Sequence, residues 1–250
     1  MTDIILCGCG GKMGNAVRNA VKEREDCRIV AGVDIATEQA IEFPVYRQIS
    51  EVSETADVVI DFSHPSLLSP ILEFCRAHNN LPAVLCTTGY NEEQTEEIKK
   101  AADTLPIFYS RNMSLGINLL IELAKKAEAV LGNSFDVEIL EMHHNQKIDA
   151  PSGTALMIAD AINGVRAQDM KYMYDRHSQR KKREKNEIGI HAVRGGTIVG
   201  EHQVIFAGQH ELLTLSHSAQ SKELFASGAV NAAVFMNGKA TGLYDMSALV

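Results

Sequence analysis

Two rhythms of apolar and polar positions divide the chain. Through about residue 110, short and nearly uninterrupted apolar runs occupy residues 3–7, 28–33, 58–62, 83–86 and 106–109. Between several of them lie stretches with an apolar residue every three or four positions, which predict helices from the glycine-rich turn to about residue 23, over 65–78 and over 91–103. Continuous apolar strands alternating with amphipathic helices predict a parallel sheet covered on both faces. From residue 114 the rhythm changes. A long helix to about residue 131, a strand over 136–142 and a helix over 152–163 precede a polar stretch over 168–187. Strands are then expected over 188–194, 197–207 and 212–218, largely antiparallel, with turns at Arg194-Gly195-Gly196 and Ala207-Gly208-Gln209. An apolar-periodic helix over 221–237 is expected to return to the first sheet. The reading is therefore of two domains. Residues 1–113, completed by 219–250, form the α/β domain, and 114–218 form an α+β domain with a mixed four-stranded sheet, whose open edges invite a homo-oligomer.

Composition narrows this only a little. The 250 residues are 45% hydrophobic and 22% charged, ordinary for a soluble globular protein. No apolar run approaches the roughly twenty residues of a membrane span, and the amino terminus enters a strand without a signal-peptide pattern, so a cytosolic protein with no membrane partner is expected. Five cysteines without a CxxC pair suggest free thiols. The formal charge of −8 argues against a nucleic-acid partner, and the basic run Arg180-Lys-Lys-Arg183-Glu-Lys185 reads as a solvated loop.

The first apolar run leads into Gly8-Cys9-Gly10-Gly11-Lys12-Met13-Gly14 and then a helix. Strand, glycine turn and helix together form a cradle for a pyrophosphate, and Asp34, at the end of the second strand, stands where a carboxylate receives the adenosine ribose hydroxyls. This makes the first domain Rossmann-like. Ligands in such sheets lie at the strands' carboxyl ends, which points to Cys86-Thr87-Thr88-Gly89 and Ser110-Arg111-Asn112-Met113 as cofactor loops. Phe62-Ser63-His64 occupies a similar place and reads as an ordinary strand-to-helix loop.

The densest chemistry lies in residues 141–155. Glu141-Met-His143-His144-Asn-Gln-Lys147 ends a strand, and Asp149-Ala-Pro151-Ser152-Gly153-Thr154-Ala155 opens a helix with Ser152 as its cap. Two imidazoles, an ammonium and a helix start that favours anions are the elements of acid–base chemistry on an anionic small molecule.

These motifs, with Asn112-Met-Ser-Leu-Gly-Ile-Asn118 and Gly195-Gly-Thr-Ile-Val-Gly-Glu-His202, resemble the dihydrodipicolinate reductase family along essentially the whole chain. The resemblance implies reduction of 4-hydroxy-tetrahydrodipicolinate by NADH or NADPH in lysine and diaminopimelate synthesis. It makes His143 and Lys147 the catalytic pair, and His144, Gly153 and Thr154 the holders of the dicarboxylate. Gly8, Cys9, Gly10, Gly11, Lys12, Met13, Asp34, Cys86, Thr87, Thr88, Ser110, Arg111, Asn112 and Met113 would line the cofactor, and a homotetramer would form through the second domain's sheet. Domain closure would bring nicotinamide and substrate into contact. Ile35, where NADPH-favouring relatives often carry arginine, tilts the expectation to NADH. Arg111, Met113 and the basic loop over 176–187 depart from the family pattern.

Three other readings meet the same residues: a semialdehyde dehydrogenase with Cys86 as nucleophile, a dinucleotide-binding sensor without turnover, and a hydrolase holding a metal through His143, His144 and Asp149. The retained proton donors speak against the sensor, and adjacent histidines without an H-x-x-x-H pair speak against the metal.

Overall fold

The computed structural model describes residues 1–35, 41–166 and 168–250, which divide into two compact units, Met1–Leu115 with Lys222–Val250 and Gly116–Ser221. In the first, β1 (Thr2–Cys7), β2 (Cys27–Val33), β3 (Val45–Tyr46), β4 (Val58–Asp61), β5 (Ala83–Leu85), β6 (Pro106–Tyr109) and β12 (Gly242–Tyr244) form one parallel sheet in the order β12-β6-β5-β4-β1-β2-β3. Alternate side chains feed two cores. Ile5 and Cys7 pack with α2 (Leu68–Ala77) and α3 (Glu92–Ala101), while Ile4 and Leu6 pack with α1 (Lys12–Lys22) and α6 (Glu223–Met236). Because the helices after β1 and β4 lie on opposite faces, the winding reverses between these neighbouring strands. A crevice therefore opens at their carboxyl ends, beside Cys7 and Asp61.

Helix α1 begins directly at the turn because nothing larger than glycine fits there. Gly8 stands at φ +76°, and a Cβ on it or on Gly14 would overlap the backbone, Phe62 in the first case and Gly8 and Cys9 in the second. The returning carboxyl-terminal helix, α6, is buried through Ala226, Ala229, Val230, Ala232 and Ala233, small residues that let it lie close against the sheet.

The second unit contains a five-stranded sheet, not the expected four, in the order β11-β10-β7-β9-β8. Its strands are β7 (Asp136–His143), β8 (Lys171–Met173), β9 (Glu187–Arg194), β10 (Gly200–Ala207) and β11 (Leu212–Ala219). The added strand, β8, is three residues of the polar stretch, too short to show a period. Pairing is mixed. β9 runs parallel to both β7 and β8, whereas β10 is antiparallel to β7 and β11. One face packs on α4 (Leu115–Leu131) and α5 (Gly153–Asn163) through Val137, Ile139, Ile188, Val204 and Phe206.

The basic run is an exposed loop, as its charge suggests, except for Arg183, which is anchored to the sheet. Arg183 donates to Glu138 at 3.0 Å, Asp136 at 3.0 Å, and the carbonyls of Val137, Glu184 and Glu187. Arg176 bridges Glu187 and Glu138, and His191 meets the other oxygen of Glu138 at 2.8 Å. Five donors in a rigid fork let one arginine bind side chains and carbonyls together, which fastens this loop to the start of β7 and β9. No helix among the described residues is long and apolar enough to cross a membrane.

Candidate active site

Period-two alternation at the end of β7 places Glu141 and His143 on one face of the strand. The Glu141 carboxylate is wholly buried and fully engaged. Arg194 grips it with both terminal nitrogens, at 2.8 and 2.7 Å; His143 Nδ1 lies 2.6 Å from Oε2, and the Ser152 N–H donates to Oε1 at 3.0 Å. Burial alone would raise this carboxyl's pKa, but Arg194, His143 and Ser152 together hold it below the usual value. Glu141 is therefore an anion, and His143 presents Nδ1 to it. That fixes the ring's outward end as Nε2, the atom free to give or take a proton. Gly200 makes room for this atom, since a Cβ there would come within 3.0 Å of it.

Burial lowers the His143 pKa, the Glu141 anion opposes that, and the charges of Lys147 and Arg194 push it down further. A protonated His143 therefore gives up its proton more readily than a free imidazolium does. Beside it, His202 is 3% exposed, with its ring edge-on to His143 at 5.3 Å between centroids and its Nε2 3.1 Å from the Ser152 hydroxyl. Burial first, and then the neighbouring His143, drive the His202 pKa down to about 4, so it is neutral near pH 7. The same Ser152 hydroxyl accepts the Ala155 N–H and caps α5, as expected from the sequence.

Lys147 sits in the turn after β7, where its N–H donates to the His144 carbonyl at 3.1 Å and its Nζ meets Asp149 at 2.7 Å. Arg194 also reaches this turn, donating to the Asp149 carbonyl at 2.7 Å. Gly153 and Thr154 open α5, and Gly153 is exposed with empty space where a side chain would stand. His144, directly after β7, is half-buried. One guanidinium therefore organises three parts of the site: His143 through Glu141, the Lys147 turn through Asp149, and the helix start through Glu141 and Ser152.

Unit 1 presents the other set of residues at the carboxyl ends of its strands. Helix α1 starts with no side-chain cap on Gly11, its first turn carries the exposed Lys12 and half-buried Met13, and the Asp34 carboxylate accepts the Gly10 N–H at 2.9 Å. Thr87 is buried, with its hydroxyl turned toward Asp61 and Tyr90, and is followed by exposed Thr88 and by Gly89 at φ +87°. Ser110 donates to the Asn112 carbonyl at 3.1 Å, Asn112 accepts the Ser114 N–H at 2.8 Å, and Arg111 is exposed. An uncapped helix start at the switch-point crevice fits a dinucleotide's phosphates. Three expected cofactor residues offer only backbone. Cys9, Cys86 and Met113 turn their side chains into the core on the α1 and α6 side of the sheet. Burial, with Asp34 next, raises the Cys9 thiol to about 11, and burial pushes Cys86 well above the usual range, which removes Cys86 as a nucleophile.

Glu141 and His202 lay within recognised motifs without being assigned a role, and Arg194 was read only as a turn. A sequence signal existed for Glu141, two residues before His143. Arg194 faces His143 through the parallel register of β7 and β9, which spacing does not reveal.

Residues 2–113 match the family model described as "Dihydrodipicolinate reductase, N-terminus", and residues 116–250 match "Dihydrodipicolinate reductase, C-terminus". The chain belongs to the dihydrodipicolinate reductase family. Among similar curated members is the 4-hydroxy-tetrahydrodipicolinate reductase of Caldanaerobacter subterraneus subsp. tengcongensis, 53% identical over 250 residues and covering 100% of this chain and 98% of the relative. The Clostridium novyi enzyme of the same name is 48% identical, with coverage of 100% and 98%. A solved dihydrodipicolinate reductase from Paenisporosarcina sp. TG-14, with dipicolinate bound, superposes with a TM-score of 0.82 at 28% identity, covering both chains completely. Membership in the dihydrodipicolinate reductase family agrees with both halves of the sequence reading, the dinucleotide fold and the His143 to Thr154 run.

Proposed function

We propose that this chain reduces 4-hydroxy-tetrahydrodipicolinate with a nicotinamide dinucleotide, His143 donating the proton and Lys147 assisting. The single observation that carries the proposal is the buried, charge-fixed orientation of His143 on Glu141, in a family whose solved relative holds dipicolinate. When bound, the dinucleotide supplies the hydride. Hydride addition to a cyclic imine pushes electron density onto the ring nitrogen, so a donor must meet it there. His143 Nε2 is that donor, and the Glu141 anion stabilises the imidazolium before transfer and holds the ring through it. The Lys147 ammonium, Gly153 and Thr154 N–H groups and His144 bind the two carboxylates, and the 4-hydroxyl leaves as water in the overall reaction.

On unit 1, Gly8, Gly10, Gly11, Lys12, Thr87, Thr88, Ser110, Arg111 and Asn112 are the residues that would hold the dinucleotide, with Asp34 on the adenosine ribose. NADH is the preferred form in this reading. A carboxylate at Asp34 repels a 2′-phosphate, and its neighbour is Ile35, an apolar side chain 80% exposed, in place of a guanidinium. Lys12 offers partial compensation. The second unit's sheet supports a homotetramer, because the face opposite α4 and α5 presents Leu140, Met142 and Ile205.

Oxidation of NADH, and separately NADPH, is followed by loss of absorbance with freshly generated substrate. The proposal expects faster oxidation of NADH, lost almost entirely in His143→Gln and Lys147→Ala. A folded protein that binds dinucleotide and oxidises neither form would overturn it.

A further inference from the structure

Asp61 ends β4 in the crevice where the sheet's winding reverses, paired in register with Cys7 on one side and Leu85 on the other. Its carboxylate is 0% exposed, and among the described residues no lysine or arginine forms an ion pair with it. Its donors come from two different turns. Oδ1 accepts the Ser63 N–H at 3.0 Å and the Ser63 hydroxyl, and Oδ2 accepts the Tyr90 hydroxyl at 3.1 Å. A buried polar group is retained only when its partners repay its desolvation, so both turns are held to one point.

Each turn borders the proposed cofactor loops. The backbone of Phe62 and Ser63 is the surface against which the glycine turn rests, since a Cβ on Gly8 would overlap the Phe62 carbonyl and lie 3.1 Å from the Ser63 Cα. Tyr90 closes the segment Cys86-Thr87-Thr88-Gly89 just before Asn91, the cap of α3. A second tie runs between the same turns, from the Gln94 side chain to the Pro65 carbonyl at 2.7 Å. Burial pushes the Asp61 pKa up, against the Ser63 hydroxyl, Thr87, the Ser63 N–H and Tyr90, so Thr87 joins Tyr90 in tying the second segment to the carboxylate.

We propose that Asp61 is a positioning residue for the dinucleotide: by accepting from Ser63 and from Tyr90 it ties the turn beneath the glycine turn to the Cys86–Gly89 segment. It rests on the reading of residues 8–13 and 86–88 as cofactor loops. Cutting the bridge weakens the cofactor's hold and leaves the dicarboxylate's unchanged.

The test uses the full chain with Ser63→Ala and Tyr90→Phe, singly and together, and Asp61→Asn. Asparagine keeps the bridge, because its carbonyl accepts from Ser63 and its amide donates to the Tyr90 oxygen. NADH affinity is read from the cofactor's fluorescence without substrate, alongside KM for each substrate, kcat and Tm. The double variant should weaken NADH binding and raise its KM by about five- to tenfold, as the loss of one or two hydrogen bonds predicts. The KM for 4-hydroxy-tetrahydrodipicolinate and kcat at saturating NADH should stay within about twofold, and Asp61→Asn should retain most of the affinity. A lowered Tm with unchanged NADH affinity in the double variant would overturn the proposal and leave Asp61 a purely structural residue. Wild-type protein that bound no NADH would overturn the cofactor reading itself, and the bridge with it.

Discussion

Arg194 holds both oxygens of Glu141, at 2.8 and 2.7 Å, across two strands whose residues lie 53 positions apart in the chain. Glu141 is buried and Arg194 half-buried, so the carboxylate depends on the guanidinium for its charge. Since the same carboxylate carries His143, the guanidinium sets that imidazole's environment without touching it.

Replacing Arg194 with methionine therefore separates stability from chemistry. Removing the partner of a buried carboxylate should cost about 3 kcal/mol of stability, read by denaturant unfolding. The proton balance should move as well. Burial holds the His143 pKa below its ordinary 6.5, and Arg194 contributes to that lowering. The wild-type kcat/KM should fall as pH rises through a value below 6.5, and this limb should shift upward in Arg194→Met. An unmoved limb would show that the acid does not feel Arg194.

Asp149 occupies the Lys147 ammonium at 2.7 Å, and that ion pair holds its carboxyl below the usual range. In the proposed reaction a substrate carboxylate takes the same ammonium. Asp149→Asn should lower KM for 4-hydroxy-tetrahydrodipicolinate about two- to fivefold with a smaller change in kcat, the expected scale for an exposed ion pair. A raised KM would mean that Asp149 presents the ammonium to the substrate instead of competing for it.

His202 makes acid stability a readout of the site. Its pKa is about 4 in the folded protein against 6.5 for an ordinary histidine, so the unfolded chain takes up its proton first as pH falls. The folded state carries no penalty from this residue above pH 6.5. It loses stability progressively between about 6.5 and 4, by up to roughly 3 kcal/mol. Urea unfolding across that range should show a shallower decline in His202→Gln than in wild type, and parallel curves would remove His202 as the cause.

Ile35→Arg tests the nucleotide preference at the position next to Asp34. A guanidinium can pair with a 2′-phosphate where an apolar side chain cannot, so the ratio of kcat/KM for NADPH over NADH should rise about tenfold or more. An unchanged ratio would place the discrimination elsewhere, with Lys12 the next residue to vary.

What could be read in advance followed from period and from turn chemistry. Runs such as Ile4 to Cys7 feed both cores of a parallel sheet, and that pattern is visible without coordinates. Ser152 capping α5 was legible because an N-cap is a local arrangement. The strands that escaped notice, Val45–Tyr46, Lys171–Met173 and Gly242–Tyr244, have two or three residues each and gain their hydrogen bonds from distant partners. The same reason hid Arg194, whose role depends on a strand register. The orientation of Cys9, Cys86 and Met113 was equally hidden, because a loop's sequence does not state which side chains turn inward. Within the run over 180–185 charge misled at Arg183, which is spent on carboxylates and carbonyls that its sequence neighbours do not disclose.

All five cysteines, Cys7, Cys9, Cys27, Cys75 and Cys86, are buried, and all lie in the dinucleotide unit. A thiol reagent can reach them only when that unit opens, which turns them into internal clocks of its breathing. The rate at which they are labelled would report how tightly a bound nucleotide closes the unit, in a protein with no tryptophan to signal the same event and with no turnover required. The second unit carries no cysteine, so its own openings pass unseen and labelling times the first unit alone.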